Sequence, residues 1–417
     1  SGYQRSCTHK YQSVLMAWSY TLTCTLDAGA IPLTDVAGFS INYGKTEPIS
    51  PYSAGTCIME LLNNDGKYTP GGGGTHSAET YLGKDFKLFG VVTGASYSVG
   101  PPVVFQGVIQ DVDLQIIDTK QSRVFITVVD RLGELSQINL ADADGSAVAF
   151  TAARVDLQLN EIMAYQSVGQ HGDVVKVVGS ANGKATNTGL SHSGPAGTLA
   201  QILAQSDGGD FCCRQGAAFD ASYYGNVLTF KAQGTPPSTT TVTFDDAGGG
   251  STYEFTNLDI GIRGENMVTQ ASMQRTGGTA QRARSVASVI TAFGVKGLTR
   301  TGLLNDADGG VLTLANQIVA KGSKESTVVK KVSFVMRPPD DSGAVFTYSI
   351  LDQCNVQYKT PPGTGAQQTY QGMIIGVRWD ITPERTVGHF TLADALQETL
   401  FILDNSLYGK LNTGILG

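Results

Sequence analysis

Histidines, cysteines and paired aspartates are the residues of this sequence whose types could do chemistry. The five histidines, His9, His76, His171, His192 and His389, are dispersed. None forms H-x-x-x-H or H-E-x-x-H, the spacing that puts two imidazoles on one helix face around zinc. No G-x-S-x-G elbow presents a serine nucleophile, and the Ser193-Gly194-Pro195 beside His192 has no assignable companions. No G-x-G-x-x-G follows a strand in a βαβ unit, so a dinucleotide cradle is unsupported. The six cysteines, Cys7, Cys24, Cys57, Cys212, Cys213 and Cys354, include one adjacent pair but no C-x-x-C, and none has a histidine at finger spacing. That pattern predicts buried free thiols in a protein assembled in a reducing compartment. Asp142-Ala143-Asp144-Gly145 and Asp306-Ala307-Asp308-Gly309 have a calcium-loop look. Both lack a third ligand position before the glycine and a bidentate glutamate six residues after it, so ordinary turn chemistry is the expectation.

Three further features resemble binding sites and have simpler readings. Pro70 followed by Gly71–Gly74 mimics a phosphate loop, but no Gly-Lys-Ser/Thr follows, and the run is read as a loop tip. Lys321, Lys324, Lys330 and Lys331 follow a helical stretch. Cations after a helix C-terminus suit its dipole, and the aromatic partners of a nucleic-acid groove are absent. Tyr223-Tyr224 with Phe211 and Phe219 could form a carbohydrate platform, although a core strand pair is the expected role. Carboxylate pairs for glycoside hydrolysis are defined by spatial separation, so the sequence nominates none. No catalytic, cofactor-binding or metal residue emerges, and a structural, binding role is expected.

The elements that carry these residues follow from composition and pattern. The chain has 417 residues and a net charge of −7, with 16% charged residues and 51 glycines. Ordinary proteins carry about 25% charged residues and about 7% glycine. Low charge with abundant glycine predicts short strands and many turns. The acidic balance opposes a protein that grips phosphates, which needs clustered Lys and Arg. No apolar run reaches the roughly 18 residues of a membrane span. Arg5, His9 and Lys10 before Val14–Trp18 mimic a signal peptide, but strict alternation over Thr21–Leu26 predicts a half-buried strand.

Alternation predicts strands at 39–43, 56–62, 103–109, 111–117 and 123–130, with Asn63–Gly66 as a turn. Helical spacing marks 152–164 and 198–206, the second capped by Thr198 and stopped by Gly208-Gly209. Strands follow at 211–214, 226–230 and 266–273, an apolar segment at 285–293 and a helix at 310–320. Strands at 332–336, 345–350 and 370–379 precede a terminal helix over 391–404, whose stripe is Leu392, Ala395, Leu396, Thr399 and Leu400. The resulting partition is a β-domain over 1–140 with a glycine-rich excursion at 71–102, mixed α/β domains over 141–257 and 258–331, a second β-domain over 332–390, and a helix and tail over 391–417.

Several segments, in this order, resemble the phage tail-tip hub proteins, the minor tail proteins of long-tailed phages. They are Val36–Gly44 leading to Ala54-Gly55-Thr56 and Asn63–Pro70, which fits a strand, "A-G-T" and N-x-D-G-x-x-x-P; Val104–Ile109, like F-x-G-x-I; Val129–Leu135; Arg154-Val155 entering a helix, with Leu199–Phe211 and Asn226–Phe230; and Met373–Pro383. The stretch before residue 30 and the 71–102 excursion depart from the family pattern. The resemblance implies a strand-rich α+β fold like the central hub of contractile-tail baseplates, with two small β-barrel domains flanking two mixed α/β domains. It implies a homotrimer at the virion tail tip, assembled in the host cytoplasm. It also implies partners: the distal tail protein, the tape-measure protein and other tail-tip proteins, with DNA passing through the lumen without sequence-specific binding. A distal tail ring, a cell-wall hydrolase and a receptor-binding protein are the alternatives. Lytic hubs usually carry their enzyme as an appended module, and this sequence ends soon after its second barrel, so a scaffold is expected.

Overall fold

The computed structural model describes residues 21–26, 33–71, 81–91, 103–118, 121–141, 145–165, 175–178, 190–215, 226–232, 235, 238–246, 252–262, 267–323, 327–336, 343–360, 362 and 365–394. The first strands are β1 (Thr21–Leu26), β2 (Val36–Gly44), β3 (Ser53–Leu62), β4 (Asp85–Val91), β5 (Val103–Ile116) and β6 (Ser122–Val129). Next come α1 (Arg131–Leu135), β7 (Asn139–Leu140), β8 (Val148–Phe150), α2 (Val155–Ala164), β9 (Lys176–Val178), β10 (Leu190–His192) and β11 (Gly194–Pro195). Helix α3 (Ala196–Asp207) leads into β12 (Asp210–Arg214), β13 (Val227–Lys231), β14 (Ser238–Asp245), β15 (Tyr253–Glu254) and β16 (Asn257–Ile262). A compact unit then contains β17 (Gln270–Arg275), β18 (Gln281–Arg284), α4 (Ala287–Phe293), β19 (Gly297–Leu303) and α5 (Asp308–Gly322). The last strands are β20 (Thr327–Met336), β21 (Asp352–Thr360), β22 (Ala366–Ile381) and β23 (Thr386–Asp394).

The strand-rich α+β expectation holds, but the strands from the two ends of the chain do not form separate sheets. A 13-stranded sheet runs β1-β4-β5-β6-β3-β2-β22-β21-β14-β15, with β23, β20 and β16 branching from β22. The junction is antiparallel, from Phe39 opposite Ile381 to Gly44 opposite Gly376. Among the described residues this hydrogen-bonded path does not close into a barrel. Alternation explains the layering: Ile41, Cys57, Met59, Leu61, Ile126 and Val128 are buried from every second position of β2, β3 and β6. On the C-terminal side an aromatic core forms, with Phe334 lying 4.8 Å from Phe244 and 5.6 Å from Trp379 between ring centroids. A smaller, separate core contains Val268, Ala271, Met273, Ala283 and Leu303 with Val311, Leu314, Ala315 and Val319 of α5, beneath the β18-β17-β19 sheet.

Local departures from the sequence reading have physical causes. Within the 71–102 excursion, β4 pairs with both β1 and β5, driven by Phe86 and Leu88, which alternate and are fully buried; 72–80 and 92–102 lie outside the described residues. The two strands expected at 103–109 and 111–117 are one, β5, with a register shift between Ile109 and Asp111. The strand expected at 345–350 is instead a 3-10 turn, Gly343–Thr347. There Leu351 has φ +74°, Ser349 N donates to Asp352 Oδ2, and Phe346 packs 4.8 Å from Trp379 between ring centroids. The helix expected from Thr391 begins as strand: Thr391–Asp394 belong to β23, with Leu392 buried and paired with Ile374 of β22; 395–417 lie outside the described residues. Helix α3 starts at Ala196 without a side-chain cap, so Thr198 sits inside it, while Gly208 does end it in the left-handed conformation.

Candidate functional site: a buried polar seam between sheet and α/β elements

Several of the segments that carry the family resemblance converge on one buried seam. Asp130 follows β6 and caps α1, its Oδ1 accepting from Gly133 N at 3.0 Å. Its Oδ2 accepts from Gly55 N at 2.8 Å, and its own N–H donates to Gly55 O at 3.0 Å. A Cβ on Gly55 would stand 2.6 Å from Asp130 Oδ2 and 2.9 Å from Tyr43 Cβ, so only glycine admits this approach. Arg131 N donates to Asn226 Oδ1 at 2.7 Å, and Cys213 Sγ donates to the same oxygen at 3.1 Å. Asn226 adopts φ +52°, a region asparagine tolerates better than most residues. Its N–H donates to Gln215 Oε1, which also accepts from Gln106 N, while Gln215 Nε2 donates to Gln106 O. Residues 54–56, 104–109, 129–135 and 226–230, far apart in sequence, thus meet in one network.

Burial dominates the electrostatics here. It pushes the Asp130 carboxyl up to about 7, against the hydrogen bonds from Gly133, Gly55, Leu132 and Cys213 that favour its charged form. Beside it, Lys45 Nζ lies 2.9 Å from Asp210 Oδ1 and 4.6 Å from the Tyr52 ring centroid. Lys45 N donates to Ile375 O at 2.8 Å, which brings the Met373–Pro383 segment into the same seam. Arg214 Nη2 meets Asp352 Oδ1 at 2.7 Å, with both side chains less than a tenth exposed. On the far side of α3, Ser206 Oγ accepts from Leu304 N and Asn305 Nδ2 donates to Ser206 O. Arg300 Nη2 donates to Ile49 O, and burial lowers its pKa. This chemistry positions elements: apart from the Asp130 cap on α1, these bonds join segments far apart in sequence.

The Asn63–Pro70 segment makes a turn of its own. Asn63 Oδ1 accepts from Tyr68 N at 2.8 Å, Asn63 Nδ2 donates to Thr69 Oγ1, and Tyr68 OH donates to Asp35 Oδ2 at 2.6 Å.

The residues singled out for chemistry are otherwise engaged. Asp308 Oδ1 accepts from Arg275 Nε at 2.7 Å and Oδ2 from Thr279 Oγ1 at 2.8 Å; Asp142 and Asp144 lie outside the described residues. Among the described residues no group of three His, Cys, Asp or Glu could hold a metal. Cys57, Cys212, Cys213 and Cys354 are buried, as expected, and the last three are free thiols. Burial pushes the Cys212 thiol up to about 12 and raises Cys213 and Cys354 as well, which withholds the reactive thiolate. Phe211 is core, while Phe219, Tyr223 and Tyr224 lie outside the described residues, as do His9, His76 and His171. Lys330 and Lys331 sit within β20 rather than after a helix.

One arrangement invisible in the sequence is a serine–histidine–aspartate chain across β20, β23 and β22. His389 Nδ1 lies 2.8 Å from Ser333 Oγ, and its Nε2 lies 3.8 Å from Asp380 Oδ2. The second distance is beyond hydrogen-bond range, and Asp380 already accepts from Arg378 through both oxygens. Ser333 is 6% exposed. Burial and the neighbouring Lys331 hold the His389 pKa below its ordinary value. The chain is a cross-strand polar ladder rather than an aligned nucleophile and base.

No protein-family model matches the chain, and no curated protein matches it in sequence. Its architecture does match solved structures. A 43 kDa tail protein of prophage MuSo2 from Shewanella oneidensis superposes with a TM-score of 0.59 at 10% identity, over 90% of this chain and 98% of that one. A tail protein from Neisseria meningitidis MC58 gives 0.56 at 10% identity, over 91% and 99%. At such identity the likeness is one of fold, and it extends over nine-tenths of this chain. The chain has the fold of a phage tail protein, the kind its motifs resemble.

Proposed function

We propose that this protein is a structural component of a phage tail tip: a central hub ring that joins the tail tube and distal tail ring to the tip and surrounds the channel for DNA and the tape-measure protein. The observation that carries this reading is the end-to-end likeness to two tail proteins, each covered almost completely. In this reading 1–140 and 332–390 are barrel domains, 141–257 and 258–331 are mixed α/β domains, and 391–417 is a terminal segment. The β2–β22 pairing supports it, because it sets the two strand-rich ends side by side. Three copies then carry six such units around one axis, matching a sixfold tube to a threefold tip. A net charge of −7 per chain would repel phosphates and let DNA slide. The buried seam suits a scaffold, since it fixes the elements without leaving a reactive group at the surface. The protein would assemble in the host cytoplasm and reside in the virion.

The test is the mass of the purified protein by light scattering, followed by particle imaging. A trimer around a threefold channel is expected. A hexameric ring would indicate a distal tail protein instead, and a monomer that cleaves a cell-wall preparation would overturn the scaffold reading.

A further inference from the structure

Two exposed surfaces of this chain have opposite charge and matching apolar content. The first lies at one end of the β18-β17-β19 sheet. Residues 267–305 contain no Asp or Glu but five cations, in a chain that is acidic as a whole. Two of these are spent internally, Arg275 on Asp308 and Arg300 on Ile49 O. The other three, Arg282, Arg284 and Lys296, are exposed and make no ion pair with a described carboxylate. Ala283 faces the α5 side of the sheet, so alternation turns Arg282 and Arg284 to the opposite face. Ser285 N donates to Thr269 O, and Lys296 N donates to Thr269 Oγ1. These bonds bring the flanking Arg284 and Val286 to the same sheet end as Val295 and Lys296. Val286 is 65% and Val295 58% exposed, and α4 between them buries none of its residues. Its apolar Val289, Ile290 and Phe293 are only half-buried, so the helix is incompletely covered in a lone chain.

The second surface is the outer half of the β5–β6 hairpin. On the β5 side no Lys or Arg occurs over 103–118, while Asp111, Asp113 and Asp118 do; on the β6 side Arg123 is paired with Glu60, and Lys120 lies outside the described residues. Asp111 and Asp113 are exposed, and Ile116 is 71% and Ile117 49% exposed. The β4 pairing ends at Val108, so among the described residues this half of β5 has a neighbour only in β6. A projecting edge strand with exposed isoleucines invites pairing unless something covers it.

We propose that the acidic, isoleucine-bearing outer half of β5 in one copy, Asp111 to Ile117, docks on the basic, valine-bearing end of the β18-β17-β19 sheet of the next copy. The proposal rests on the ring reading above and names its contact. The two patches differ, so the contact is heterologous and can propagate around a ring until rotation closes it. Opposite charge on the two patches fixes direction and register and discourages hairpin-to-hairpin pairing.

The experiment uses the full chain and compares wild type, the pair Arg282→Glu/Arg284→Glu, the pair Asp111→Lys/Asp113→Lys, and all four changes together. Light scattering over a concentration series reads assembly, and circular dichroism checks folding. Each double reversal is expected to weaken assembly about tenfold or more, and the four changes together to recover most of it. Rising salt should weaken the wild-type assembly. Ile117→Cys with Val295→Cys, under oxidation, should yield a ladder of cross-linked copies; this second readout keeps the surface charges native, should a reversal fail to fold. An assembled wild type that neither reversal disturbs, with no cross-linked ladder, overturns this contact and leaves the ring reading standing. A wild type that stays monomeric at every concentration overturns both.

Discussion

Asp130 is where a single residue does most to fix the fold. Its two oxygens accept from Gly55 and Gly133, and burial raises its carboxyl from 3.8 to about 7. Below pH 4 the carboxyl is protonated in both folded and unfolded chains, and its contribution is complete. Between about 4 and 7 the unfolded carboxyl loses its proton while the folded one keeps it, so the folded state holds more protons and stability falls as pH rises. Above about 7 both are ionised and the loss levels off. The slope reaches up to about 1.4 kcal/mol per pH unit within that window. Asp130→Asn has nothing to titrate there, so urea unfolding from pH 4 to 8 should show the wild type losing stability relative to this variant as pH rises. Equal pH profiles for the two proteins would contradict the assignment.

At the level of elements, the Arg214–Asp352 pair ties β12 to β21, strands otherwise belonging to different sheets. Removing one partner of a buried pair leaves an uncompensated charge, at a cost of about 3–5 kcal/mol, whereas replacing both by apolar groups can be nearly neutral. Asp352→Ala should therefore lower the denaturation midpoint strongly, and Arg214→Met with Asp352→Leu should recover much of the loss in a double-mutant cycle. Asp352 Oδ2 also accepts from Ser349 N at the 3-10 turn, so recovery should stop short of complete. Additive effects of the two changes would show that the pair is not coupled.

Across the whole molecule the two cores differ in size and connection. The large core is continuous from Val36 to Ala393, whereas the smaller one is confined to β17, β18, β19 and α5. The smaller unit meets α3 through Ser206, Leu304 and Asn305 and reaches the β2–β3 connection through Arg300. Local units with little buried apolar surface open at lower free energy than the global transition. Amides of β17 and α5 should thus exchange through an opening cheaper than that of β2 and β22 by native-state hydrogen exchange. Identical opening free energies would mean that the seam welds the whole chain into one cooperative unit.

Some of this architecture was legible from residue order alone. Short β-branched and apolar runs bounded by turn residues at 56–62 and 123–130 marked β3 and β6, and the structure buries every second residue of each. Gly208 ended α3 because glycine enters the left-handed conformation without strain. The buried thiols followed from the absence of metal and redox spacings. Other features depended on partners distant in sequence. Leu392, Ala395 and Leu396 lie on a helical stripe, yet Leu392 is in a strand because β22 offers it a backbone partner at Ile374 and β20 pairs the residues just before it, Thr386 to Thr391. Phe346, Tyr348 and Ile350 alternate like a strand, yet Phe346 is needed against Trp379 and Gly90, and the chain turns to deliver it. The seam was hidden for the same reason: Gly55, Gln106, Asp130, Gln215 and Asn226 are ordinary loop and strand-end residues until folding brings their donors and acceptors together. Local pattern sets which stretches form strands and helices, because backbone geometry repeats over a few residues. Only tertiary structure decides which strands pair, which polar groups are buried together and which charged surfaces are left exposed, because those terms depend on neighbours up to hundreds of residues away.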